Sequence, residues 1–291
     1  MIATPVNLMQ SGKPSKSAHR VALHRAVHQL LDEPVVFSDP FALPILGKNL
    51  AQIVEGDPYQ FNDPMSRGLR AATVVRSKAA EDMLEVNLTQ GVGQYLVLGA
   101  GLDTYLLRNP RANKNLRVFE VDHPATQTWK KGILQEQGLK VPDSVEFVAA
   151  DLETVSLASA LTSSTFRSDA PSCFSWLGVT VYLSKQAIFD VLNYVASLPK
   201  GSSITFDYRV APALLHPIDQ VIGEYAAKQF EMDGEPWQSY FHPQELQRQI
   251  AALGFRDVAD FSADELNARY FQKRKDGLRF GNGFRILRAV V

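Results

Sequence analysis

The chain has 291 residues, 45% of them hydrophobic, enough for one large α/β domain or a domain with an appended lid, which excludes a disordered protein. Its 30 lysines and arginines against 31 aspartates and glutamates leave a formal net charge of -1, which excludes a global attraction to nucleic acid or to an anionic membrane. The single cysteine, Cys173, excludes an intrachain disulfide and, lying in an apolar run, reads as a buried core residue in a reducing compartment.

The opening MIATPVNLMQSGKPSKS has no apolar core of signal-peptide length, and no segment approaches the apolar length of a membrane span. A cytoplasmic chain with a loose arm over residues 1–17 is expected. From 18 to 90 the pattern is helical. Apolar residues recur at helical spacing over 18–31 until Pro34, Asp39-Pro40-Phe41 offers an N-cap followed by proline at the first helical position, and 69–88 is a long amphipathic segment. Beyond Gln94, strands at 95–98, 116–121, 145–149, 172–177 and 203–206 alternate with helices such as 124–137 and 185–197, a pattern that predicts a parallel sheet covered on both faces.

The alternation breaks over 209–237, where Pro212 and Pro217 flank Leu214, an amphipathic patch covers 221–230 and Gly234-Glu235-Pro236-Trp237 follows. This reads as an insertion near the site that helps form a lid. His242-Pro243 then opens a helix that Gly254 ends, a strand follows at 257–261, Ser262-Ala263-Asp264-Glu265 is a helix start, and 284–291 is a last apolar strand. The expected organisation is a helical region over 1–90 and a nucleotide-cofactor core over 91–291 carrying the 209–237 insertion.

The core opens with its most informative stretch. The run Tyr95 to Leu98 ends in Gly99-Ala100-Gly101-Leu102-Asp103-Thr104, and a second run closes on Glu120-Val121-Asp122. Glycines after a buried strand let the backbone turn tightly and approach a ligand, and an acid at the end of the next strand stands where ribose hydroxyls need an acceptor. A dinucleotide fingerprint requires a third glycine, which is missing. Asp103-Thr104 stand in its place, and an acid there repels a pyrophosphate but accepts from a cationic amino-acid group such as that of S-adenosylmethionine.

Asp122 is the candidate ribose acceptor. Glu120 shares its face, and one of the two could instead cap the helix beginning at Pro124, as could His123. Asp151-Leu152, in the same place after the third strand, suits an adenine amino group and ring face, with a helix cap as the alternative. Arg76, among apolar neighbours in the long helix, is either a structural partner for a carboxylate or a fork aimed at an anion. Tyr182 is either aromatic core or a hydroxyl at the mouth of the sheet. Trp176 reads as core or pocket wall. His24 and His28 share a helical face, but further metal ligands are lacking, so a solvated face is the expectation.

Taken together, VLGAGLDT, FEVDHP, AADL, WLGVTVYLS, SITFDY, GEPWQSYFHPQEL, LGF and ELNARYF, with SDPFA and Arg76 upstream, resemble the leucine carboxyl methyltransferase-like family of S-adenosylmethionine-dependent O-methyltransferases, especially its bacterial small-molecule branch. The resemblance implies a Rossmann-like class I methyltransferase: a mostly parallel seven-stranded sheet with the last strand antiparallel. It implies that cofactor is held by Gly99, Ala100, Gly101, Asp103, Thr104, Asp122, Asp151 and Leu152. Arg76 would grip both cofactor and substrate carboxylates, and Tyr182 would help hold the substrate. A basic residue of the first helix reaches the cofactor carboxylate in related enzymes, and Arg25 is the candidate here. Where the protein-methylating members carry an acid after the fourth strand, this chain has Leu177-Gly178, which separates it from the phosphatase-modifying enzymes.

The expected activity is therefore O-methylation of a small molecule, foremost a carboxylate, which needs no general base. A phenol or alcohol acceptor would need one, and His242 is the nearest guess, against a plain helix N-terminal histidine. The rivals are a dinucleotide oxidoreductase, disfavoured by the glycine pattern, and a non-catalytic cofactor-binding regulator, motivated by Leu177-Gly178.

Overall fold

In a computed structural model that describes residues 14–108 and 116–291, the chain folds around one seven-stranded sheet. Most of the arm expected over 1–17 lies outside the described residues. Its last residues already belong to a helix: the Ser15 hydroxyl accepts from the Ala18 N–H and caps α1 (Lys16–Leu31). The helical region also holds α2 (Lys48–Gly56) and α3 (Pro64–Thr89), the latter opened by Asp63, whose carboxylate accepts from the Met65 and Ser66 N–H groups.

Asp39-Pro40 does not open an α-helix. Asp39 Oδ1 accepts from the Phe41 N–H in a turn that leads to a single 3-10 turn at Pro44–Leu46. Its carboxylate is also drawn into an ion network beneath α1, and that tertiary demand overrides the local capping signal.

The strands are β1 (Gln94–Leu98), β2 (Arg117–Asp122), β3 (Val145–Ala149), β4 (Cys173–Trp176), β5 (Ser203–Arg209), β6 (Asp257–Phe261) and β7 (Phe284–Val290), in the order β3-β2-β1-β4-β5-β7-β6. Only β7 runs against its neighbours. The strand positions read from the apolar runs hold to within three residues at each end. Between and after the strands lie α4 (Tyr105–Arg108), α5 (Pro124–Glu136), α6 (Leu157–Leu161), α7 (Lys185–Ala196), α8 (Pro217–Met232), α9 (Pro243–Ala252) and α10 (Ala263–Tyr270).

All five residues of β1 are buried, because both sheet faces are covered. Leu96 and Leu98 point one way, into a core with Phe119, Phe174, Trp176 and the α7 residues Ile188 and Leu192. Tyr95 and Val97 point the other way, onto Leu84 of α3 and Val118. Each such fully buried apolar side chain contributes roughly 1.5–3 kcal/mol. Trp176 is core, as one of its two readings had it, and burial pushes the Cys173 thiol up to about 12, leaving it an unreactive core residue. Among the described residues no helix is long and apolar enough to cross a membrane.

The insertion is more regular than its sequence suggests. Its amphipathic patch belongs to one 16-residue helix, α8, started by Pro217 behind His216.

Glu120, on the face it shares with Asp122, does not reach the site. It forms a buried pair with Lys130 of α5 (Nζ to Oε2, 2.6 Å). Burial pushes its carboxyl up to about 7, against the pull of Lys130. Breaking such a pair strands a charge in the core. Lys130→Met should therefore lower unfolding free energy by about 3–5 kcal/mol in urea titrations, and Glu120→Leu added to it should recover most of the loss. A single variant as stable as the parent would contradict this burial.

Candidate functional site

A cavity opens at the C-terminal ends of β1, β2, β4 and β5, roofed by α1 and α3. This is where an open α/β sheet presents its ligand site. Gly99 and Gly101 turn with φ of +62° and +49°. A side chain on Gly99 would put its Cβ 2.3 Å from Val179 Cγ2, in the loop after β4, and one on Gly101 would come within 3.0 Å of Ala18 Cβ on α1. The glycines are thus demanded by the chain's own close approaches and left-handed backbone.

Asp122 locks this turn from β2. Its Oδ2 accepts from the Gly101 N–H at 2.5 Å and its Oδ1 from the His123 N–H at 2.7 Å. Burial raises its carboxyl, and these backbone donors oppose the rise. The cap of α5 is His123, whose Nδ1 accepts from the Ala125 N–H, so Asp122 remains a wall of the cavity. Asp151 does not cap a helix, since α6 is capped by Ser156; its Oδ1 accepts from the Glu153 N–H at 3.0 Å in a turn, and with Leu152 it lines the cavity.

Arg25 and Asp103 stand side by side at the turn, Nη2 to Oδ2 3.0 Å. Burial works against the Asp103 carboxylate, but Arg25, Arg108, Lys130 and the Tyr105 N–H outweigh it and hold its pKa down at about 2. Arg25 also reaches Ser77 Oγ at 3.2 Å, and its Nε is buried without a partner. Thr104 is not in the cavity wall. It is fully buried behind it, where its hydroxyl donates to Asp39 at 2.6 Å and accepts from Arg108 Nε at 2.8 Å.

Arg76 reaches the cavity from α3, and its Nη1 bonds Asp207 Oδ2 of β5 at 3.2 Å. Gly178, with φ +71°, makes this possible, since a Cβ there would sit 2.5 Å from Nη2 of Arg76. The other Asp207 oxygen accepts from the Gly178 N–H at 2.5 Å. Asp207 is therefore a site residue that reading the sequence missed. Its signal was an acid breaking the apolar run of β5 in SITFDY.

Tyr182 also lines the cavity, its hydroxyl flanked by Ser17 and Trp237. Burial pushes this phenol up to about 12, so it stays protonated as a donor. Two insertion residues, Phe230 and Trp237, complete the wall and were not singled out from sequence, nor was Phe284 of β7. His24 proves to be a buried wall residue, and burial first, then Arg70 and Arg20, lowers its pKa to about 4. His28 is structural: Nδ1 pairs with Asp32 at 2.7 Å and Nε2 accepts from the Val36 N–H at 3.0 Å. The solvated face expected for both histidines is thus wrong. Arg70 brings Asp32 to His28, and α3 covers that side of α1. His242 is exposed, precedes α9 and is not in the cavity wall. Among the described residues no cluster of three metal-ligating side chains occurs.

Strand order, the glycine turn and the acid after β2 define a Rossmann-like class I methyltransferase architecture. The chain belongs to the leucine carboxyl methyltransferase family, which it matches over residues 18–196, a family of S-adenosylmethionine-dependent methyltransferases. One relative is a Bacillus subtilis protein named "Putative S-adenosyl-L-methionine-dependent methyltransferase YktD", 29% identical over 303 aligned positions that cover 97% of this chain and 99% of that one. A Mycolicibacterium paratuberculosis protein of the same description is 30% identical over 208 positions, 66% of this chain and 72% of that one. A solved structure from Thermobifida fusca, described as a "putative methyltransferase", has a TM-score of 0.58 at 16% identity and covers 100% of this chain and 99% of that one. At that identity the likeness is one of fold.

The close approach at Gly99 gives a test of the turn. Gly99→Ala combines left-handed backbone with a clash on Val179, and should cost on the order of 2 kcal/mol of stability. Val179→Ala in the same chain removes the nearest clashing carbon and should restore part of the loss, the remainder being backbone strain. Additive destabilisation by the two changes in thermal unfolding would mean the turn and the β4 loop do not meet.

Proposed function

We propose that the cavity binds S-adenosylmethionine and that the protein methylates an oxygen of a small acceptor, specifically a carboxylate. The observation that carries the cofactor assignment is the Arg25–Asp103 pair at the glycine turn. A cation and an anion side by side complement the zwitterionic end of an amino acid, and the unpartnered Arg25 Nε has a donor in reserve for its carboxylate. Asp122 would take the ribose hydroxyls, and Asp151 with Leu152 the adenine. When bound, the cofactor supplies an activated methyl group: its sulfonium C–S bond breaks as the O–C bond forms, leaving a thioether and an ester.

The acceptor side favours a group that is already ionised. Both Asp207 oxygens are engaged, by the Gly178 N–H and by Arg76. His24, at about 4, is a weak base. Tyr182 is a donor. These groups can orient an anion but are poorly suited to deprotonating a hydroxyl. Arg76 makes one hydrogen bond among the described residues, to Asp207, and its remaining N–H groups are available to an acceptor.

The insertion supports the lid reading. Glu235, buried, accepts from the Lys16 and Ser17 N–H groups of α1 at 2.9 and 2.8 Å, and Asp233 pairs with Arg20. In this reading the latch would keep Phe230 and Trp237, both cavity-lining, over the bound ligands. Glu235→Ala should raise amide hydrogen exchange across 217–237 in the free protein, with cofactor and acceptor together restoring protection. Exchange equally slow in parent and variant would make the segment a rigid buttress.

The activity itself is tested by methyl release from a panel of small carboxylic acids and hydroxyl compounds. Asp122→Ala should weaken S-adenosylhomocysteine binding by about 1–3 kcal/mol in calorimetry. Arg76→Ala should lose most ester formation and Tyr182→Phe less. With Tyr182 near 12 and His24 near 4, the rate at saturating cofactor should be flat between about pH 7 and 9. A tenfold rise per pH unit over that range would indicate an acceptor that must first lose a proton.

A further inference from the structure

Beyond the residues assigned to cofactor, the cavity has a second character. Tyr182, Phe230, Trp237 and Phe284 form one continuous run of rings along its wall. Phe230 stacks on Trp237 with centroids 5.2 Å apart and planes at 27°, Phe284 meets Trp237 edge to face at 5.5 Å, and Tyr182 meets Phe230 at 6.2 Å. The Arg209 guanidinium lies 4.9 Å from the Trp237 ring centroid, and Arg209 is not a cavity residue. The cation therefore supports the indole from outside the cavity.

The polar equipment of this wall is one-sided. Trp237 Nε1 is buried in the wall beside the Tyr182 hydroxyl, without a well-formed hydrogen bond to it. Donors thus converge from Trp237, Tyr182 and Arg76. The Glu235 latch ties the insertion to the first turn of α1 beside the cavity residues Ser17 and Arg20.

We propose that the acceptor is a planar aromatic carboxylic acid, its ring packed against Phe230, Trp237 and Phe284 and its carboxylate held by Arg76 and Tyr182, with the Trp237 indole N–H as an additional donor. The proposal rests on the carboxylate reading above. Phe230 and Trp237 cover one another's faces, with Arg20 over the first and Arg209 over the second, so a ligand ring meets their edges; it gains edge-to-face contacts that a flexible aliphatic chain cannot match, and it enters with little rotamer entropy to lose.

The test uses the full-length protein saturated with S-adenosylhomocysteine for binding and with S-adenosylmethionine for turnover. Benzoate, 2-naphthoate and indole-3-carboxylate are compared with hexanoate and with 2-naphthol, by calorimetry and by mass detection of the methylated product. At least one aromatic acid should bind tenfold or more tightly than hexanoate and give the methyl ester. Trp237→Leu and, separately, Phe284→Leu should reduce that preference several-fold with S-adenosylhomocysteine affinity unchanged. Hexanoate bound and esterified as well as the aromatic acids would overturn the aromatic class and leave the carboxylate reading standing. Methylation of 2-naphthol with no acid esterified would overturn both. Binding of none of the aromatic acids by cofactor-loaded protein would overturn the proposal.

Discussion

A single buried set of charges holds the glycine turn and the helices above it in register. Arg25 of α1 reaches Asp103 at 3.0 Å and Asp39 at 3.7 Å, while Arg108 of α4 reaches Asp39 at 3.4 Å and Glu81 of α3 at 2.6 Å. Three helices, the turn after β1 and the 39–47 segment therefore meet at one point. Buried ion pairs add little net stability over apolar packing, but removing one member leaves a charge that water cannot reach. The effect of the set is geometric: α1 can lie on the sheet only where its arginine finds Asp103. That same arginine lines the cavity, so the constraint that positions the helix also shapes the cavity wall.

A second constraint bears on Leu177-Gly178, where the family resemblance implies an acid in the protein-methylating members. An acid after the fourth strand is absent, and Gly178 takes the place. Its lack of a Cβ admits the Arg76 guanidinium, and its N–H is taken by Asp207 from the neighbouring strand. A carboxylate is therefore still present at that corner, delivered from β5 instead of from the loop after β4. This weakens the motive for a non-catalytic reading, which rested on Leu177-Gly178 alone.

What could be read without coordinates follows from the range of the interactions involved. The strands were legible because a doubly covered strand must be apolar along its length, and β1 is buried at all five positions. The glycine turn and Asp122 were legible because turn chemistry is local and the acid follows its strand directly. Other features were decided by distant partners. Asp39 looks like a helix cap until Arg25, Arg108 and Thr104 claim it, and Thr104 looks like a cofactor ligand until Asp39 does. Asp207 gains meaning only from Arg76, 131 positions earlier. His24 and His28 look like a solvated face until α3 covers them. Trp237 joins the wall only because α8 folds back over the cavity.

The element that unites these features is α1. At about 1.5 Å per residue its 16 residues span about 24 Å. Its first-turn N–H groups receive the Glu235 carboxylate, which suits the positive end of a helix dipole. In the same turn Ala18 closes against Gly101, and about one turn on Arg20 sits 4.6 Å from the Phe230 ring centroid while pairing with Asp233. Two turns further, Arg25 meets Asp103. One helix therefore touches both the 209–237 insertion and the glycine turn, the turn at Ala18 and again at Arg25. It cannot shift without disturbing Ala18 on Gly101 and Arg25 on Asp103. Coupling between the two halves of the cavity is then a property of a single helix and needs no longer chain of contacts.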